Sequence, residues 1–138
     1  MVDSRGGAAQ LGAMIWTMLQ VAAGGAIGAA GRFAAGHAAL RLAGPGYPYA
    51  TLFVNVAGSF VMGLLAVWLA ERGMMRAAPF LLTGVLGGFT TFSAFSLDAV
   101  TMIQRGDMVL AAGYIAASVA LSIAALAAGM MLMRGALG

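Results

Sequence analysis

The chain has 138 residues, of which 62% are hydrophobic and only 8% charged. Soluble domains carry roughly a quarter charged residues, so this is an integral membrane protein, with no length left for a separate soluble domain. The net charge of +3 comes from seven arginines that form no basic run, which gives nucleic-acid binding no support, and the lack of cysteine removes disulfides, thiolate metal sites and cysteine chemistry.

The first ten residues carry Asp3 and Arg5 and lack a cleavage-type signal pattern, so the first span is predicted to be retained rather than to be a signal peptide, with the ten leading residues a tail before it. The first span runs from about Leu11 to Leu42, longer than a bilayer requires. It contains Gly24 and Gly28, one turn apart, a spacing that lets helix backbones approach closely in lipid. Arg32 lies inside it and divides between two readings, a cation that draws anions inward and an arginine snorkelling to an interface.

Ala43-Gly-Pro-Gly-Tyr-Pro48 is a turn, and the second span follows from 49 to 70. Tyr47, Tyr49 and Trp68 suit interfacial aromatic belts. After the charged loop Glu71–Arg76, the third span covers 79 to 104, opening on Pro79, a favourable first-turn residue. Arg105-Gly-Asp107 is a tight turn, and the fourth span covers 108 to 133. With the N-terminus inside, Arg5, Arg72, Arg76 and Arg134 face Arg41 and Arg105 across the membrane. That bias is too small to choose between one orientation and insertion in both. Four short helices enclose little interior, which points to an oligomer.

The third span should run unbroken. Instead Gly84-Val-Leu-Gly-Gly-Phe-Thr-Thr-Phe-Ser-Ala-Phe-Ser96 packs glycine, hydroxyl residues and phenylalanine into its middle. Such residues weaken a helix, and freed backbone groups survive in hydrocarbon only when buried in protein, facing water or bound to an ion. An interruption is predicted around Gly87 to Ser93, marking an ion site or a permeation path.

Two polar stripes accompany it. Thr51, Asn55 and Ser59 stand four apart on the second span, and Tyr114, Ser118 and Ser122 on the fourth. Singly, such groups are interhelical hydrogen-bonding glue. Two matching stripes beside a broken helix make a polar pathway the better reading. The stripes contain donors and no carboxylate, which favours an anion over a cation. Phe92 and Phe95 share a helix face beside the break, and a phenyl edge is positive. His37 is the single histidine, and no paired carboxylates, nucleophile elbow or phosphate loop accompanies it, so an enzyme is not expected.

Three segments together resemble the Fluc, or CrcB-type, fluoride channels: Gly-Gly-Ala-Ile-Gly-Ala-Ala-Gly-Arg at 24–32, Thr51-Leu-Phe-Val-Asn-Val-Ala-Gly-Ser-Phe60, and Gly84 to Ser96. The resemblance covers all four spans. It implies an all-α protein of four transmembrane helices with the third broken mid-membrane. It also implies an antiparallel, dual-topology homodimer in the lipid of the cell inner membrane, with two fluoride pores that export fluoride passively and give resistance to it. Asn55, Phe92, Phe95, Thr51, Tyr114, Ser118, Ser122 and Arg32 match the family's pore positions. A structural sodium ion is implied at the two-fold axis, held by backbone carbonyls that fall on Gly87 and Thr90 here. A small multidrug-type cation exporter shares the size, but needs an acid in the first span, and none lies between Leu11 and Leu42. A partner-binding subunit would leave the stripes and the break without use.

Overall fold

A computed structural model describes the backbone of residues 4–138 and side chains from Gly7 onward; Asp3 and the Arg5 side chain lie outside the described residues. Helix α1 (Ser4–Ala43) is followed by α2 (Tyr49–Glu71) and a 3-10 turn at Met75–Ala77. The third span then comprises a π-helical segment (Pro79–Leu86), the single turn α3 (Gly87–Phe89) and α4 (Phe92–Gln104), and α5 (Met108–Leu137) completes the chain. Four segments are long and apolar enough to cross a membrane, making this a multi-pass, all-helical membrane protein whose third span is bent.

Residues 4–10 continue α1 as helix instead of forming a separate tail. Its 40 residues measure about 60 Å, twice a hydrocarbon core of ~30 Å. Gly24 already lies level with Phe80, so the first turns of α1 run past the start of the third span. The third span departs from the sequence expectation in two ways. It is wide-turned from Pro79, well before the glycines. The break itself is narrow: only Thr90 (φ −79°, ψ 158°) and Thr91 (φ −153°, ψ 122°) are extended.

Two helix pairs frame the molecule, and both close on glycine. A Cβ on Gly24 would overlap the Phe80 carbonyl oxygen, and one on Gly28 the Val85 carbonyl oxygen. These contacts press α1 onto the π-helical segment. In the other pair, a Cβ on Gly63 of α2 would overlap the Leu126 carbonyl oxygen, and one on Gly129 of α5 the Phe60 carbonyl oxygen. Lipid tails are as apolar as leucine, so close backbone contact is what distinguishes helix on helix from helix on lipid. A small core of Phe95, Ala99, Met102, Ala111 and Tyr114 fills the corner where α4 meets α5, with Tyr47 and Leu52 packed against it. Much of the remaining apolar surface, including Phe33, Phe92 and Val109, is exposed.

The contact at Gly28 has no room, whereas Gly12 meets nothing within 4 Å. Gly28→Ala is expected to destabilise the purified protein by about 1–3 kcal/mol through overpacking. Gly12→Ala should be neutral or gain about 0.5–1 kcal/mol from reduced chain entropy. Denaturation of the two variants in detergent checks the contrast; equal stabilities would remove the close α1 contact.

Candidate functional site

The break is held open by one side chain from another helix. Asn55 of α2 donates from Nδ2 to the Thr91 carbonyl at 2.9 Å and accepts the Thr91 N–H at Oδ1, at 2.7 Å. Thr91 is buried, so both backbone groups would otherwise be stranded. Its hydroxyl caps α4 by accepting the Ala94 N–H at 3.2 Å. Thr90 folds back on the preceding turn, giving both its N–H and its hydroxyl to the Leu86 carbonyl at 2.9 Å.

These bonds have a consequence for the carbonyls. In a continuous α-helix the Thr91 N–H would close on Gly87 and the Ala94 N–H on Thr90. Here the first goes to Asn55 and the second to the Thr91 hydroxyl. Gly87 and Thr90, the two positions to which the family resemblance assigns sodium, are therefore among the carbonyls that the break, Gly87 to Thr90, leaves without helical donors. A hard cation takes oxygen ligands, and neutral carbonyls with free lone pairs suit it.

Beside the break lies a groove of about 300 Å³ whose lining includes Asn55, Ser59, Phe92, Phe95, Ser118 and Ser122. The Ser118 and Ser122 hydroxyl oxygens are buried and have no hydrogen-bond partner among the described residues. Neither makes the bond back to its own helix that serine commonly makes. A buried hydroxyl without a partner costs about 1–3 kcal/mol, so the two, on residues that line one groove, are donors left open for water or a ligand that accepts. The Phe92 and Phe95 rings lie 5.4 Å apart, tilted by 47°. Phe95 is buried at 8% exposure while Phe92, at 78%, stands at the open side.

The remaining stripe residues are engaged elsewhere. Thr51 donates to Asp98 Oδ2 at 2.7 Å, and the fully buried Tyr114 donates to the same oxygen at 3.3 Å. A carboxylate of the third span, Asp98, therefore reaches the stripes, which themselves contain no acid. The signal was present: Asp98 is three residues beyond Phe95 and seven beyond Thr91, hence on their helix face. Arg32 is half-buried on α1 and lines neither this groove nor the next concavity. That second space, of about 390 Å³ at the α1–α2 loop, is lined by Tyr47, Tyr49, Asp98, Thr101 and Arg105 among others. The arginine bordering a concavity is thus Arg105, which the sequence places in a turn without a role.

Residues 19–130 match the family model described as CrcB-like protein, Camphor Resistance (CrcB). A Cereibacter sphaeroides protein named fluoride-specific ion channel FluC is 58% identical over 122 residues, covering 88% of this chain and 98% of that protein. The Paracoccus denitrificans protein of the same name is 56% identical over 119 residues, 86% of this chain and 95% of its own length. That of Caulobacter vibrioides is 52% identical over 120 residues, 85% of this chain and 94% of its own.

The two-point attachment makes Asn55 and Ser122 sharply unequal for stability. Asn55→Ala strands the Thr91 N–H and carbonyl and is expected to cost on the order of 1–3 kcal/mol per group. Ser122→Ala removes a buried hydroxyl that has no partner and should leave stability unchanged or raise it by up to about 1–3 kcal/mol. Chemical denaturation in one detergent compares them; an Asn55→Ala protein as stable as Ser122→Ala would dissolve the clamp.

Proposed function

The chain belongs to the CrcB-like, Fluc-type family, and from that premise we propose that it is a passive, fluoride-selective ion channel rather than an enzyme. Its relatives carry the name fluoride-specific ion channel across nearly their whole length. The observation that carries the reading within this chain is the pair of buried, unpartnered hydroxyls of Ser118 and Ser122, two residues that line the groove beside the break. Fluoride is small, strongly hydrated and accepts hydrogen bonds. Ser118, Ser122 and the second N–H of the Asn55 amide replace the water it gives up on entry.

The phenylalanines form the apolar stretch of the same path. Phe92 and Phe95 turn positive ring edges to an ion that has lost its hydration, and a pore too narrow for the larger ion excludes chloride. Thr51 and Tyr114 serve the anion only when their hydroxyls turn away from Asp98, which holds them otherwise. Asp98 is an acid within a span, but it belongs to α4 and is occupied by those two hydroxyls. It gives the cation exporter no acid in the first span. Arg32 acts by charge, raising the local anion concentration from outside the groove.

In this proposal the working unit is an antiparallel homodimer of oppositely inserted copies in the inner membrane, carrying two pores. The groove is open on one side and Phe92 is exposed there, as a surface completed by a second subunit would be. The Gly87 and Thr90 carbonyls of both copies would hold a structural sodium ion, which would supply the positive charge that offsets their unpaired dipoles. The diverted Thr91 and Ala94 amides support this assignment. Flow follows the gradient, so a negative interior that has accumulated fluoride exports it, giving resistance.

Purified protein in liposomes, loaded with fluoride and chloride and read by ion-selective electrodes, tests the proposal. Rapid fluoride release without chloride release is expected. Phe92→Ile loses a ring-edge contact of about 1 kcal/mol and should slow fluoride release roughly five- to tenfold. Folded protein that releases no fluoride would end the channel reading. An unaltered rate in Phe92→Ile would remove the ring edges from it.

A further inference from the structure

Five aromatic rings form an unbroken series from the α1–α2 loop to the groove. Tyr49 lies 4.6 Å from Tyr47, and Tyr47 meets Tyr114 edge-on, at 5.7 Å and 85°. Tyr114 lies 5.4 Å from Phe95, and Phe95 lies 5.4 Å from Phe92. All four separations fall within the range where ring pairs attract one another in preferred orientations. The sequence assigns Tyr47 to an interfacial belt. Its ring instead turns inward, half-buried against the core cluster that contains Phe95 and Tyr114.

The loop that delivers this ring has a path few sequences can follow. Gly44 (φ +73°) and Gly46 (φ +129°) adopt conformations that residues with a Cβ rarely enter, and Pro48 fixes the chain just beyond Tyr47. The Tyr49 N–H donates to the Tyr47 carbonyl at 2.8 Å, tightening the exit into α2. Tyr114 is meanwhile tethered at its phenol by Asp98. Its ring is thus held at the hydroxyl by Asp98, on one side by Phe95 and on another by the edge of Tyr47.

We infer that Tyr47 is a positioning residue for the permeation groove, holding the Tyr114 and Phe95 rings in the orientation that Phe95 presents there. The inference rests on the channel reading above. Tyr47 lies outside the groove lining and borders the second concavity instead, so its contact with the groove runs through the rings of Tyr114 and Phe95. The ring is required and its hydroxyl is not, because the contact with Tyr114 is an edge-to-face one.

Fluoride efflux from liposomes holding, on average, less than one channel each separates two quantities. The fraction of liposomes emptied counts folded channels, and the rate of emptying reports flux through each. Tyr47→Leu is expected to slow the rate about fivefold, the loss of one ring contact, with the emptied fraction unchanged. Tyr47→Phe should restore the rate. Gly46→Ala keeps the ring but bends the loop away from φ +129°, and should slow it as well. A wild-type rate in Tyr47→Leu overturns the inference, as does a Tyr47→Phe channel as slow as Tyr47→Leu. Should Tyr47→Leu empty few liposomes because it does not fold, Gly46→Ala decides on the same rate. Wild-type protein that releases no fluoride overturns the channel reading itself, and the inference with it.

Discussion

A backbone cannot be broken inside hydrocarbon unless something else takes up its hydrogen bonds, and here that something is the Asn55 side chain. One carboxamide offers a donor and an acceptor at the spacing of a peptide group. It receives the Thr91 N–H and returns a bond to the Thr91 carbonyl. The extended pair Thr90–Thr91 is stable in a membrane for that reason. The threonines complete the arrangement, since the Thr91 hydroxyl caps α4 and the Thr90 hydroxyl ties back to Leu86. The same exchange of partners frees the Gly87 and Thr90 carbonyls and aims the start of α4, with Phe92 and Phe95, at the groove. Asn55 is therefore a fastening first, with one N–H left uncommitted.

That fastening works only if α2 stands at a fixed distance from the third span. Glycine contacts supply the framework. α1 is drawn onto the π-helical segment at Gly24 and Gly28, and α2 onto α5 at Gly63 and Gly129. The break lies between these two pairs, with Gly58 of α2 making room for the Thr90 methyl and the Phe89 ring. The Ser118 and Ser122 hydroxyls, carried on α5, are thereby held across the groove from Asn55 on α2. Two rigid pairs and one bridging amide give a donor-lined groove without any charged ligand in its lining.

Local pattern made the membrane spans legible, because each is a long apolar run bounded by glycine, proline or charge. The break was legible from the density of glycine and hydroxyl residues around Gly87 to Ser93, though its narrowness was not. That depends on Asn55, 36 residues away, whose partner no local pattern reveals. The stripe spacing placed the donors on helix faces, but facing is not availability: Asp98 takes Thr51 and Tyr114, while Ser118 and Ser122 remain unpartnered. Tyr47 reads as an interfacial tyrosine because its neighbours are loop residues, and only the turn through Gly44 and Gly46 carries it inward. Gly63 and Gly129 are isolated in sequence and gain meaning only as a pair across two helices. The wide turns from Pro79 have no composition signal, since Pro-Phe-Leu-Leu would suit an ordinary α-helix equally well.

The break depends on the Thr91 amide being bound to Asn55 instead of to its own helix, and amide hydrogen exchange reads that bond directly. In the folded wild-type protein, Thr91 should exchange slowly despite lying in extended backbone. In an Asn55→Ala protein that remains folded, protection at Thr91 should fall while the amides within α2 and α5 keep theirs. Rapid exchange at Thr91 in the wild type, or equal protection there in both proteins, would contradict the account.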